Sequence, residues 1–290
     1  MQRILYIVTC LLLLAGCSYN PPQDSSMVLE AWIDANGHPV VMIHKSYVVA
    51  NAPDSVRTLE KIIEEQLIPF GKVTFSDGEQ EVVMTGRLDT MYMPPYTYTT
   101  IDIIGEPGKR YTVTAKYNDL YATATTTIPP IATLDSLSVQ ASSMGMVDVT
   151  GYMTLENPFE ENYYTLFARK KGTKQFQLCP FGVFDSRDAK DGQFKMKVYN
   201  PISQGKDYEA LASYFAVGDS ADYQLRVARV DYPTYCFWKE YNENILSRGV
   251  LFVPIYKNMP TNVVGGIGFF SGFGSSIYQF NLLNDTTYRY

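Results

Sequence analysis

Hydrophobic and polar positions alternate along most of this chain, and the departures from alternation carry as much information as the rule. Val28-Leu29-Glu30-Ala31-Trp32-Ile33 leads into a polar turn at residues 34–39, and Val40-Val41-Met42-Ile43-His44 follows. Lys72-Val73-Thr74-Phe75 meets the turn signal Ser76-Asp77-Gly78 before residues 81–84, and residues 110–117 and 121–126 flank Asn118-Asp119. Successive side chains of an extended chain point to opposite faces, so this period of two, rich in Val, Thr and Tyr, predicts half-buried strands and hairpins. Short strands at this spacing predict an immunoglobulin-like sandwich over residues 27–130. One stretch breaks the period: within residues 54–68, Val56, Leu59, Ile62, Ile63 and Leu67 stand at helical spacing, with Pro69 as the stop. Pro129-Pro130 then marks a boundary, because proline cannot donate to a strand ladder. Strand runs resume at 137–140, 147–155, 163–170, 194–199 and 223–230, and a second helix is expected over 233–247, with Tyr235, Trp238, Tyr241 and Ile245 on one face. The expected fold is mainly β: two tandem immunoglobulin-like β-sandwich domains, residues 27–130 and 131–290, with two short helices.

The first residues follow a different logic. Arg3 precedes an apolar run from Ile4 to Leu14, which ends in Leu14-Ala15-Gly16-Cys17. A positive start and a short greasy core form a secretory signal, and the run falls short of the about 20 residues a spanning helix needs. Small residues ahead of a cysteine make a lipoprotein cleavage site, so residues 1–16 are expected to leave and Cys17 to carry the acyl chains. At about 0.8 kcal/mol per buried methylene, several chains hold a domain on a membrane. Residues 17–26, polar and with two prolines, read as a lipidated flexible tether. Ser18 after the cysteine favours the outer membrane, and Asp24, the one acidic residue in the tether, leaves either face of it open.

Composition narrows the classes. With 24 basic and 30 acidic residues the net charge is −6, and no clustered basic surface of the kind that neutralises phosphates appears, so nucleic acid is excluded as a partner. Of four cysteines, Cys10 lies in the signal and Cys17 at the cleavage site, leaving Cys179 and Cys236 in the folded part. In an oxidising compartment these form either a disulfide or two free thiols, and the sequence does not choose between them.

Candidate chemistry is thin. The two histidines, His38 and His44, fall in a turn and at a strand end, and no Gly-x-Ser-x-Gly or His-Glu-x-x-His motif is present. No catalytic residue, metal or cofactor is expected. Asp185, Asp188 and Asp191 with Gly192 resemble a calcium loop, but their spacing misses the every-second-position ligands of an EF-hand and no glutamate closes it. A solvated hairpin loop is the plainer expectation. The glycine-rich run from Val264 to Gly274 lacks the lysine of a phosphate loop, so its glycines are expected to let a strand bend while Phe269, Phe270 and Phe273 fill the core. Tyrosine is in excess, 23 of 290, and a loop at Tyr92, Tyr96 and Tyr98 offers large contact area with polar tips as an interaction surface.

Several stretches together resemble the bacterial lipoproteins grouped as domain of unknown function 4249. They are the cleavage site at Cys17, Val28-Leu29-Glu30-Ala31-Trp32-Ile33, Thr127-Ile128-Pro129-Pro130, Glu156-Asn157-Pro158, and Pro260-Thr261-Asn262-Val263-Val264-Gly265-Gly266-Ile267-Gly268-Phe269-Phe270-Ser271-Gly272. The resemblance implies an outer-membrane lipoprotein often encoded beside a TonB-dependent transporter, and it supplies no catalytic residues. The expected function is therefore a non-catalytic accessory of such a transporter, by substrate capture or barrel capping, with the membrane and the barrel as partners and the ligand unknown. A structural or adhesive envelope module is the alternative, and an enzyme acting on envelope polymers the third reading.

Overall fold

A computed structural model describes residues 26–46, 66–92, 94–142, 145–201, 214–216, 222–247, 259–283 and 287–289. The signal, the tether and Cys17 lie outside them, as does the helix expected over 54–68 except for its last three residues, of which Leu67 bridges to His44 and Ile68 enters the core. The first half supplies β1 (Met27–Asp34), β2 (Val40–Lys45), β3 (Lys72–Ser76), β4 (Glu81–Val83), β5 (Thr85–Leu88), β6 (Tyr96–Thr99), β7 (Arg110–Tyr117) and β8 (Leu120–Thr127). The second supplies β9 (Ser136–Ala141), β10 (Met146–Thr154), β11 (Tyr163–Lys170), β12 (Gln177–Asp185), β13 (Gln193–Val198), β14 (Phe215–Ala216) and β15 (Asp222–Val230). The helix α1 (Tyr232–Ser247) follows, then β16 (Val263–Val264), β17 (Ile267–Asn281) and β18 (Thr287–Arg289). The fold is mainly β, in several sheets with sandwich-like packing. No helix among the described residues is long and apolar enough to cross a membrane.

One nine-stranded sheet runs through the molecule in the order β12-β11-β15-β17-β1-β2-β6-β5, with β18 beside β17. The first and last long strands meet at its centre: β1 runs parallel to the first half of β17, from Val28 opposite Ile267 to Asp34 opposite Phe273, while β15 pairs antiparallel with the second half. Residues 263–273, although last in sequence, thus belong in space with strands of the first half, β16 adding to β8. Over the β1 end lies the sheet β16-β8-β7-β3-β4, with Leu29, Ile33, Phe75, Tyr111 and Phe270 in the core between the layers. Over the β11 end lie β13-β10-β14 and β9, enclosing Leu166, Phe194, Phe215, Leu225 and Phe280. Two sandwiches thus share one sheet.

The opposite face of the large sheet carries α1. Asp231 caps that helix, its carboxylate accepting the Thr234 amide at 3.0 Å, where an acidic side chain also meets the positive end of the helix dipole. Because α1 covers β11 and β12, these strands lose simple alternation: Leu166 and Ala168 face the sandwich core, while Phe167 packs with Tyr235, Trp238 and Phe273 beneath the helix. The two cysteines divide between these faces. Cys179 is buried in the sandwich core and Cys236 sits on α1, and both are free thiols. Burial pushes the Cys179 thiol up, away from its nucleophilic form.

Candidate functional site

The face of the sheet beneath α1 is not filled by the described residues. Residues of β1 and β17 that point away from the sandwich core, among them Trp32, Asp34, Phe269, Phe273 and Ser275, join Phe167 and Arg169 of β11, Arg226 of β15 and Phe237, Trp238 and Tyr241 of α1 around an open cavity of about 1240 Å³. Tyr92 and the 174–176 loop complete its wall. A cavity of this size suits a small molecule better than a protein surface does, and its mixture of rings and a few placed charges is what ligand sites share.

Arg226 lies on the cavity floor. Its guanidinium stacks among three rings, 4.4 Å from the centroid of Phe167, 4.8 Å from Phe176 and 4.3 Å from Phe273. Nη1 donates to both Asp34 oxygens at 3.3 and 3.1 Å, and Ser275 Oγ donates to the same carboxylate at 2.7 Å. Burial pushes the Arg226 pKa down, and the Asp34 charge opposes that shift. Arg226 Nε and Trp238 Nε1 are buried donors with no acceptor among the described residues.

Arg169 stands beside this pair, stacked on the other side chain they share, Phe176, at 4.1 Å. Its Nε donates to Gln224 at 2.8 Å and its Nη1 to the Lys174 carbonyl at 2.7 Å. Both acceptors are neutral. Its pKa is pushed down by burial first and by the neighbouring Arg226 charge second. At the rim, Lys174 Nζ reaches Asp89 at 2.7 Å, tying the β11–β12 loop to the loop after β5, and Tyr92 packs on Trp32 with ring centroids 5.8 Å apart.

Of the tyrosines proposed from sequence as an interaction surface, Tyr92 lines the cavity. Tyr96 is half-buried and packs edge-on to Tyr98 at 5.5 Å. Tyr98 is corrected to a core residue: it is 2 % exposed, donates to the Ile68 carbonyl at 2.7 Å and accepts the Gly71 amide at 2.9 Å. Burial accordingly pushes its pKa up to about 12. The histidines lie apart from each other's chemistry, His38 on the Ile103 carbonyl and His44 on the Lys45 carbonyl and near Glu30. Burial lowers the His44 pKa, but the nearby Glu30 carboxylate and the hydrogen bond to the Lys45 carbonyl outweigh that and leave it raised.

Of the aspartates at 185–191, Asp185 and Asp188 have carboxylates that are already engaged. Asp185 accepts the Arg187 amide at 2.9 Å, its Nε at 2.8 Å, its Nη2 at 2.7 Å and the Tyr235 hydroxyl at 3.0 Å, while Asp188 accepts the Asp185 amide at 3.0 Å. Asp191 and Gly192, both with positive φ, make the two-residue hairpin turn that follows. No group of three or more His, Cys, Asp or Glu among the described residues stands together as a metal site. Chiefly the Arg187 guanidinium holds the Asp185 carboxyl down to about 2, and Tyr235 is pushed up to about 12 by burial and by that carboxylate. A depressed carboxyl pKa contributes stability that is complete above its unfolded value of 3.8 and is lost as pH falls from there through about 2. Asp185→Asn is therefore expected to lower stability at pH 7 by about 1–2 kcal/mol, less than the full shift because Arg187 is largely exposed. In guanidinium titrations the gap between wild type and variant should close between pH 4 and pH 2; a gap independent of pH would contradict the pairing.

Of the residues at the heart of the cavity, the sequence places Trp238 on one face of the expected helix and singles out none of Asp34, Arg169 and Arg226. Asp34 read as part of a turn, and one signal was present: Arg226 inside Tyr223-Gln224-Leu225-Arg226-Val227-Ala228-Arg229-Val230, between the buried residues Leu225 and Val227. No curated protein shows significant similarity to the chain. The model of one family, a domain of unknown function designated DUF4249, matches residues 17–278, nearly the full length, and the chain belongs to that family.

Proposed function

We propose that this chain is a non-catalytic outer-membrane lipoprotein, held by acyl chains on Cys17, that captures a small solute for a TonB-dependent transporter. In the same reading its halves are tandem immunoglobulin-like modules joined through the shared sheet. The observation that carries the proposal is the cavity beneath α1, about 1240 Å³ and lined by Trp32, Tyr92, Phe167, Trp238 and a few charged groups. Its carboxylate Asp34 is engaged by Arg226 and Ser275, an arrangement that favours binding over proton transfer. The Leu14-Ala15-Gly16-Cys17 site supports the address.

The test is affinity purification of the tagged, lipidated protein from mildly solubilised outer membranes, followed by mass spectrometry, with Cys17→Ala as control. A TonB-dependent barrel recovered in near-equal amount, and lost together with membrane association in the control, is the expected result. Recovery of the lipoprotein alone would overturn the transporter reading.

A further inference from the structure

The cavity's charges do not balance, and the imbalance identifies what it binds. Four basic side chains line it, Arg169, Lys174, Arg226 and Arg289, against two acidic ones, Glu30 and Asp34. Asp34 is matched to Arg226 and Lys174 to Asp89, which stands behind the wall. Glu30 lies 4.0 Å from His44. Among the described residues, exposed Arg289 has only the neutral Ser276 Oγ, at 3.4 Å, and half-buried Arg169 likewise has only neutral acceptors, with Arg226 raising the positive potential beside it. A cation in this setting gains more from an anionic partner than one in water, because the surrounding rings lower the local dielectric. The unmatched Arg169 guanidinium calls for a ligand that brings acceptor atoms and negative charge. The remaining wall sets the shape of its body. Trp32 and Tyr92 form one aromatic surface, and Phe176, already stacked against both guanidinium groups, forms another. Flat rings recognise flat or apolar bodies.

We infer that the cavity binds a carboxylate attached to an aromatic or similarly flat apolar body, the carboxylate pairing with Arg169 and the body lying among Trp32, Tyr92 and Phe176. The inference rests on reading the cavity as a capture site and names the class of solute captured. Guanidinium is suited to the role because its planar fork meets both oxygens of a carboxylate. The same chemistry is presented by the C-terminal residue of a peptide and by a free aromatic acid.

The full lipidated chain in detergent, titrated by calorimetry with N-acetyltryptophan, indole-3-acetate and N-acetyltryptophanamide, separates these cases. Both acids, or one of them, should bind about tenfold tighter than the uncharged amide, the margin of one charge-assisted hydrogen-bonded pair. Arg169→Gln should erase that margin while leaving the weak binding of the amide, and Arg169→Lys should retain part of it. Preference for N-acetyltryptophan assigns the site to peptide C-termini; preference for indole-3-acetate assigns it to free acids. Equal binding of acid and amide would overturn the anionic class while leaving solute capture standing, and so would an acid margin that survives Arg169→Gln in a variant that melts like wild type. Absence of binding by all three probes would also overturn it. None of these outcomes depends on whether a barrel co-purifies, so the transporter proposal fails or stands separately.

Discussion

Asp34→Ala is expected to be among the most damaging single substitutions in the molecule, lowering the free energy of unfolding by about 3 kcal/mol. Its partner Arg226 is 6 % exposed and surrounded by Phe167, Phe176 and Phe273, so the guanidinium cannot recover water when the carboxylate is removed. Breaking a buried pair from one side costs about 3–5 kcal/mol, because the surviving charge stays buried without compensation. The lower end applies here, since the Asp34 side chain is 24 % exposed and solvent reaches the gap. Ser275 Oγ loses its 2.7 Å acceptor in the same change. The pair links β1 to β15 across β17, at the centre of the shared sheet, so the loss is felt by both sandwiches. The combined variant Asp34→Ala with Arg226→Met should regain most of the stability, because methionine fills the ring-lined slot without a charge. Guanidinium unfolding of the single and double variants measures both numbers. A single variant within about 1 kcal/mol of wild type would mean that Arg226 does not depend on Asp34.

What the sequence disclosed, and what it withheld, follows from the range over which each feature is encoded. Strands were legible wherever one face is wet: in β1, β7 and β8 inward residues such as Leu29, Val113 and Ala124 alternate with outward polar or half-exposed ones, and the period of two is plain. The helix α1 was legible too, because Tyr235, Trp238 and Tyr241 repeat at helical spacing; the Asp231 cap emerges only in the structure. The junction of the two halves was not. Pro129-Pro130 marks a boundary along the chain, but the parallel pairing of β1 with β17 joins residues some 240 positions apart, and no local periodicity records a partner at that distance. The cavity was hidden for the same reason. Trp32 and Asp34 sit on β1 and Arg169 and Arg226 on the paired strands β11 and β15, and only β17 brings β1 beside them. Tyrosine content pointed to the right neighbourhood at Tyr92 and past it at Tyr98, since a tyrosine whose hydroxyl is buried on the Ile68 carbonyl has the same local pattern as one that faces a ligand.

Gly274→Ala is expected to cost about 3 kcal/mol, near the top of what overpacking a filled interior does, and to leave the cavity chemistry out of the cause. The even-numbered positions of β17 face the sandwich side, where Phe270 enters one core and Tyr278 and Phe280 the other. Between them the linker leaving β8 crosses the strand, and only glycine leaves room for it. A Cβ on Gly274 would lie 2.3 Å from the Pro129 carbonyl oxygen and 2.4 Å from that of Pro130, and one on Gly272 would lie 2.7 Å from the Thr127 oxygen. These contacts are with backbone rather than with a side chain that can turn aside, and the Gly274 carbonyl itself accepts the Ala132 amide at 2.9 Å, so linker and strand have to separate to admit the methyl. Gly145 is the natural control: it sits at a loop with a positive φ of 73° and open space where a Cβ would stand, so alanine there meets conformational strain alone, about 1 kcal/mol. Comparing the two variants by equilibrium unfolding separates crossing from conformation. Equal losses would mean that the linker yields to the methyl, and that the glycines of β17 are kept for the backbone of the strand instead of for the crossing.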